Sequence, residues 1–461
     1  MSDFNKFDNM KFGIDPRYIN IQWGKKKDIK PFIDKNPFNN LILSKTEQLT
    51  MNRRKGKRKN PLYQNSNVAV VGCCGSGKTF NVIKPNIYQL RNSYIVLDTK
   101  GVLLHDTGNL FMKNGYNLNV LNSVDIKNSM HFNPFAYIKS ESDISNMADM
   151  LFKCLDYDKS ACCPFFKQAS VIWLVATIGY LYYEVPLKDR NILRLVEILD
   201  NEILDIESGK KNRIDGMFAE LEQKDPKHYA VKSRKNYMRV VKNSAVSQSV
   251  LKLLHDCLSP FDDPEVAALM SYDELYFDTY GDAGQKSILY VIISDTNTTY
   301  NFIVRLLFTQ MFSVLCNKAD ERLNGRLATP VQFILDDVVK IGEIYKFETF
   351  STIMGRRSMS FIMTMQKMSQ LEEIYKDKAE IIIGNCGSII YTSNQDIPLW
   401  FVSKVSMLPR HKCIVRISGL PPFFSDVYDT TKHPNYKYTA DYDERNAFCF
   451  VRDNDQYKVV I

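Results

Sequence analysis

The sequence predicts an α/β protein. A mainly parallel sheet covered by helices is interrupted by an all-α insertion. Three observations lead there. From Asn67 onward, short β-branched runs alternate with helical stretches, as expected for parallel strands buried on both faces. Between about residues 140 and 280 the strand signals stop and apolar residues recur at helical spacing. Strand signals then return, so two separate parts of the chain build one sheet.

Taken in order, residues 1–60 are polar and rich in Asn and Lys, and end in the basic run NRRKGKRKN around Arg53 to Lys59. This is a polar, basic N-terminal arm, either a solvated linker or a contact for phosphates or acidic lipid heads. NVAVVG, beginning at Asn67, is a buried strand ending in glycine; SYIVLDTKG and YNLNVLNS supply two more. The insertion contains DISNMADMLFKCL, FFKQASVIWLVATIGYLYYE, RNILRLVEILDNEI and AVSQSVLKLLHDCL, all helical in period. Its basic, Tyr-bearing stretch KHYAVKSRKNYMRVVKN is a solvated face or a nucleic-acid surface. SILYVIISD, PVQFILDD, SFIMTMQ and GSIIYTS resume the sheet, and HKCIVRISGLPPFFSDVYD adds a last strand and a Pro-rich turn. The expected units are therefore 1–60, the arm; 61–139, the first part of the sheet domain; 140–280, the insertion; and 281–461, its second part.

A chain of 461 residues with 45% hydrophobic and 24% charged residues is an ordinary folded composition. The net charge of +8 permits an anionic partner without requiring one. The ten cysteines form no C-x-x-C and no pattern with His, so reduced, mostly buried thiols are expected rather than a metal site. The first residues lack the apolar core of a signal peptide. The most apolar run, Ser170 to Tyr183, is too short to span a bilayer comfortably and reads as a buried helix. The expectation is a cytoplasmic chain without a transmembrane segment, reaching a membrane only through partners.

The chemistry concentrates in Gly72-Cys73-Cys74-Gly75-Ser76-Gly77-Lys78-Thr79, which fits G-x-x-x-x-G-K-[ST]. Glycines let the backbone wrap closely, so that its N–H groups point at phosphate oxygens. The helix that follows presents its positive end to the same anion. Lys78 then reaches the β/γ phosphates of ATP, and the Thr79 hydroxyl holds Mg²⁺. QFILDD supplies the acids such a site needs. Asp336 ends an apolar run, where the metal-side carboxylate belongs, and Asp337 stands where a glutamate usually activates water. Gln366, after SFIMTM, is placed to sense the γ-phosphate or position water, or is a polar strand end. Arg356 and Arg357 are candidates to reach a neighbour's nucleotide, or are surface arginines. Asp98 ends a strand expected beside the loop-bearing strand, where ligands bind in open α/β sheets.

Taken together, GSGKTFNVIKPN, YIVLDTKG, DTGNLFMKNGYNLNVLN, NPFAYI, IISDTNTTYNFIVRLLFTQMF, ILDDVVKIGEI, MQKMSQLEEIYKDKAEIIIGNCGS and FFSDVYDTTKHPNYKY make the chain resemble the type IV coupling proteins, the TraG/TraD family of conjugative ATPases. The resemblance implies a RecA-like nucleotide-binding domain interrupted by an all-α domain. It implies a homo-oligomeric ring, usually a hexamer, that couples ATP hydrolysis to movement of single- or double-stranded DNA. It also implies delivery of a relaxase–DNA complex to a type IV secretion channel at the inner face of the membrane. It carries Gly72, Gly75, Gly77, Lys78 and Thr79 as the Walker A residues and Asp336-Asp337 as Walker B. Gln366 falls on the third motif, and Arg357 on an arginine in the segment before it.

The chain departs from the family pattern at five places. The usual N-terminal transmembrane helices do not occur in it. Walker B reads Asp336-Asp337 in place of Asp-Glu. A family Asp-Pro-Lys-Gly-Glu reads Asp98-Thr99-Lys100-Gly101-Val102, and Asp-Pro-Phe-Trp reads Cys163-Pro164-Phe165-Phe166. The stretch between TSNQD and LPRHKC is short. Two functions therefore compete: a DNA-translocating coupling ATPase, or a catalytically weakened adaptor or regulator of a full-length relative. A motor of the FtsK/HerA type with another cargo is disfavoured by the insertion and by TTKHPNYKY.

Overall fold

The computed structural model describes residues 22–52, 66–155, 163–394, 396–397, 407–453 and 456–460, with side chains as far as Val451. The basic residues Arg53 to Lys59 and one cysteine, Cys162, lie outside the described residues.

Among the described residues there are thirteen strands: β1 Asn40–Ile42, β2 Gln48–Thr50, β3 Val68–Val71, β4 Ser93–Thr99, β5 Asn117–Asn122, β6 Ser287–Ile293, β7 Val331–Leu335, β8 Met359–Met365, β9 Ser388–Tyr391, β10 Lys412–Ile417, β11 Phe423–Asp426, β12 Cys449–Asp453 and β13 Gln456–Val460. Nine form the central sheet, in the order β11-β10-β9-β3-β8-β7-β4-β6-β5. Every pairing from β9 to β5 is parallel, and β10 and β11 close one side as antiparallel strands. Every residue of β3, β6, β7 and β9 is buried. Their sequences are near-continuous apolar runs because helices cover both faces.

The order corrects one expectation. The strand that ends in Asp98 is not beside the loop-bearing strand β3: β8 and β7 stand between them. The chain returns from the insertion to place β7 and β8 inside the sheet, a crossover that strand signals alone do not reveal.

Among the described residues between β5 and β6, the regular elements are all helices. The main helices of this insertion are Glu141–Leu155, Pro164–Glu184, Ile192–Glu207, Arg213–Lys224, Tyr229–Val240 and Ser244–Leu258. A buried polar knot joins them: Glu202 accepts from the Trp173 indole at 2.8 Å and pairs with Arg234, which also reaches Asp215 at 2.8 Å. The apolar run Ser170 to Tyr183 lies within Pro164–Glu184. Among the described residues, one helix is long and apolar enough to cross a membrane, Asn301–Asp320, and 78% of its most apolar window is buried in the protein.

Two features were not anticipated. The supposed polar arm contains the β1–β2 hairpin, whose Leu41 and Ile42 are buried, and Asn86 on the helix after the loop donates to Ile42 O and accepts from its N–H, both at 2.8 Å. Three-residue strands give too short a period to be read from sequence. The chain after β11 also folds back over the helix that follows the phosphate loop. Thr430 donates to Phe80 O, and Asn435 donates to Tyr88 O at 2.7 Å. The buried ammonium of Lys84 sits 3.0 Å from Asp106 and also pairs with Asp441. The nine described cysteines are free thiols, five of them buried.

Candidate functional site

β3 ends at Val71, and the chain turns sharply through residues 72–77 into a helix. Two turn positions need glycine. Gly77 has φ +84°, and a Cβ there would stand 2.3 Å from Asn81 Nδ2; Gly75 has φ +72°. Gly72 approaches the end of β9 so closely that a Cβ would meet Thr392 Oγ1 at 2.0 Å. The turn is buttressed from outside: Cys73 N donates to Ser393 Oγ at 3.0 Å, Ser76 Oγ shares a hydrogen bond with Thr392 Oγ1 at 2.8 Å, and Gly72 N donates to Met365 O at 3.2 Å. Among the described residues, no hydrogen bond within the protein uses the amides of Cys74, Gly75 or Gly77. They are donors held in a concave turn, which is the chemistry of a phosphate cradle.

The helix begins as a π-helix over Lys78–Ile83, with Lys84 N donating to Thr79 O. Pro85 explains the widening: it has no N–H to give Asn81 O, so the ladder shifts by one residue. Lys78 is 8% exposed, and its ammonium donates to Gly72 O at 2.8 Å and Cys73 O at 3.2 Å. It thus lies across the mouth of the turn.

β7 and β8 bring the acids to the same edge. Thr79 Oγ1 donates to Asp336 Oδ2 at 2.8 Å. Asp336 is 9% exposed, and burial pushes its carboxyl above the usual range, against hydrogen bonds from Thr364 and Thr79. A buried carboxylate beside a threonine hydroxyl is a hard oxygen pair of the kind that holds Mg²⁺ together with waters and phosphate oxygens. A divalent cation would offset the burial that now disfavours the charged form. Among the described residues there is no cluster of three or more His, Cys, Asp or Glu that could hold a metal by itself.

Asp337 follows with a left-handed backbone, φ 51°. Its Oδ2 lies 3.3 Å from Lys340 Nζ, while its buried Oδ1 has no hydrogen-bond partner. Gln366, half-buried, directly follows β8, whose Met365 is in register with Val71 of β3, so it stands beside the loop. Its amide donates to Gln370 Oε1 at 3.1 Å.

One residue that holds these groups was not singled out in the sequence. Thr364 is fully buried; its hydroxyl donates to Asp336 Oδ1 at 2.6 Å and accepts from Asp337 N at 2.8 Å. A single threonine thus orients both acids. The available signal was its position two residues before Gln366, on the same strand face. Thr392 and Ser393, which brace the loop from β9, carried no sequence signal.

Two predicted residues sit differently. Asp98 is 1% exposed, and its two oxygens accept from Leu103 N at 3.1 Å and Leu104 N at 2.8 Å, at the start of the helix Val102–Lys113. Burial raises its pKa to about 7 against those amides, and the neighbouring Asp336 charge adds to the rise. Arg357 is not brought to the loop. It precedes β8, at the amino edge of the sheet, and holds Asp320 through Nε at 2.9 Å and Nη2 at 2.7 Å. Arg356 beside it is exposed.

The carboxyl edge of β3, β8 and β7 therefore gathers Gly72 to Thr79, Asp336, Asp337 and Gln366. The model of the family described as type IV secretory system conjugative DNA transfer matches residues 23–398. No curated protein matches the chain in sequence. Among solved structures, the bacterial conjugative coupling protein TrwBdeltaN70 in its unbound monoclinic form is 14% identical, with a TM-score of 0.62 over 87% of this chain and 90% of its own. TrwB in complex with ADP and Mg²⁺ is 12% identical, with a TM-score of 0.63 over 90% of this chain and 95% of its own. TrwB with the ATP analogue ADPNP is 13% identical, with a TM-score of 0.62 over 90% and 96%. These likenesses give the fold: an α/β RecA-like P-loop architecture with a helical insertion. With its family matched over most of its length, the chain belongs to the type IV secretory conjugative DNA-transfer proteins, the coupling proteins.

Proposed function

We propose that the chain is an ATP-hydrolysing coupling protein that recruits a relaxase–DNA complex and drives it toward a type IV secretion channel, working as a homo-oligomeric ring at the inner face of the membrane through partners. The observation that carries this is the convergence of unused loop amides, Lys78, the Thr79–Asp336 pair and Gln366 on one edge of the sheet. The structures of TrwB with ADP and Mg²⁺ or with ADPNP support ATP and Mg²⁺ as the ligands.

The geometry supports the following roles. The amides of Cys74, Gly75 and Gly77 bind phosphate oxygens, and Lys78 swings from the carbonyls of Gly72 and Cys73 onto the β/γ phosphates. Thr79 and Asp336 hold Mg²⁺, which when bound neutralises charge on the phosphate oxygens. Asp337, fixed by its amide on Thr364, takes a proton from the attacking water, and Gln366 orients that water. An arginine from the next subunit, Arg357 or the exposed Arg356, completes the site.

A second function, a nucleotide-binding adaptor without useful turnover, is favoured by one observation. The short Asp337 side chain is engaged by Lys340 and branches from a left-handed backbone. ATP turnover by the purified chain, with and without single-stranded DNA, separates the two. DNA-stimulated turnover that Lys78→Ala abolishes supports the motor. ATP binding without turnover, with activity appearing only in Asp337→Glu, supports the adaptor.

A further inference from the structure

The opposite edge of the sheet holds a second concave feature. A cavity of about 210 Å³ opens at the amino ends of β3, β4, β7 and β8, lined by Arg91, Arg326, Ser66, Ser358 and Ser360 among others. At roughly 30 Å³ per water it has room for a tetrahedral oxyanion with solvent. Its charge is one-sided: among the described residues, no acidic side chain lines it. Among the described residues, neither arginine makes an ion pair. Arg91 Nη2 donates to Asn52 Oδ1 at 2.5 Å, and Asn52 in turn donates to Asp34 at 3.1 Å, so the one acid in this chain of contacts is a residue removed. Arg91 Nε and Nη1 are buried, with no acceptor among the described residues. Leaving charged donors unpaired is costly, and Lys286 nearby is pushed below its usual pKa by burial and by the Arg91 charge. The lining hydroxyls of Ser66, Ser358 and Ser360 add neutral donors.

An arginine pair with serine hydroxyls and no carboxylate is the chemistry that recognises phosphate. We propose that this cavity is a second phosphate-binding site, separate from the loop at the carboxyl edge, which takes a phosphate oxyanion either free or as a phosphodiester of a nucleic-acid strand. The site does not depend on hydrolysis at the other edge, so it stands or falls separately from the ATPase proposal.

The test uses the full-length chain carrying Lys78→Ala, which removes the loop lysine, with and without Arg326→Gln or Arg91→Gln. Arg326 is half-exposed, so its variant folds even where Arg91→Gln does not; circular dichroism checks both. Inorganic phosphate is titrated against chloride at equal ionic strength and followed by thermal shift. Binding of a fluorescein-labelled single-stranded oligonucleotide is measured across a salt series. Saturable stabilisation by phosphate in Lys78→Ala, weakened about tenfold or more by Arg326→Gln, is expected for loss of a charged hydrogen bond. If oligonucleotide binding also loses about one unit of salt slope, the source is a nucleic-acid strand. If phosphate binding is lost but oligonucleotide binding is unchanged, the site takes free phosphate. No phosphate stabilisation in Lys78→Ala, or stabilisation indifferent to Arg326→Gln, overturns the proposal.

Discussion

Thr364→Val removes one hydroxyl and keeps nearly the same shape, so it isolates the bond that orients both Asp336 and Asp337. In the native chain that hydroxyl donates to Asp336 Oδ1 at 2.6 Å and accepts from Asp337 N at 2.8 Å. The variant leaves a part-buried backbone donor without its acceptor and a buried carboxylate without one of its donors. The first costs about 1–3 kcal/mol and the second about 1.5–3 kcal/mol, and the terms are not fully additive, so a loss near 2–5 kcal/mol is expected in urea unfolding. Thr364→Ser keeps the hydroxyl and loses one methyl group, which costs about 1 kcal/mol. The functional contrast is sharper. With Asp337 no longer fixed at its amide, ATP turnover falls on the order of a hundredfold in the valine variant, the cost of misplacing a catalytic group by about 1 Å; the serine variant stays near wild type. Asp336 also loses a hydrogen bond that lowers its pKa, so half-maximal Mg²⁺-dependent ATP binding moves to higher pH in the valine variant only. Equal turnover and equal pH profiles in the two variants would refute the role assigned to Thr364.

Two further outcomes follow from the same edge of the sheet. Gly77→Ala places a Cβ at φ +84° and 2.3 Å from Asn81 Nδ2, so it lowers stability by about 1–2 kcal/mol and weakens ATP binding, read by calorimetric unfolding and by nucleotide titration. For Asp98, burial raises the folded pKa from 3.8 to about 7; the folded chain therefore keeps a proton that the unfolded chain releases, and stability is lost as pH rises from about 4 to about 7. Asp98→Asn removes about one proton, near 1.4 kcal/mol per pH unit, from that slope, measured as urea midpoints at pH 5 and pH 8; an unchanged slope would place the titration elsewhere.

The strands of the central sheet were legible because parallel strands covered on both faces are almost uninterrupted apolar runs, as in Ser287–Ile293 and Val331–Leu335. The loop was legible because its chemistry demands glycine and lysine at fixed spacing, and Asp336 because it ends such a run. What escaped was set by contacts distant in sequence. The order that puts β8 and β7 between β3 and β4 depends on crossovers, and so displaced Asp98 from its expected place beside the loop strand. Thr364 is one hydroxyl within an apolar run, and its partners lie 27 and 28 residues away. The return of the chain over the loop helix rests on pairs such as Lys84–Asp441, separated by 357 residues. Such links leave no local period to read.

The pairing of Arg357 with Asp320 bears directly on how one copy would serve another. Asp320 ends the helix Asn301–Asp320, where a negative charge is disfavoured by the helix dipole, and the guanidinium neutralises it. The acid side chain is 52% exposed, so the pair contributes less than about 1 kcal/mol, and releasing it to reach a neighbour's nucleotide costs little. Arginines at the amino edge and a phosphate loop at the carboxyl edge are a head-to-tail pair of surfaces, the kind that closes into rings. Mixing Arg357→Ala with Lys78→Ala chains tests whether Arg357 crosses that boundary. Each is expected to be inactive alone. Random association in a 1:1 mixture joins an intact loop to an intact arginine at about a quarter of the interfaces, so turnover should recover to about a quarter of wild type. Arg357→Ala that keeps its own turnover would instead confine Arg357 to its helix end and leave the exposed Arg356 as the residue to exchange next in the same mixing experiment.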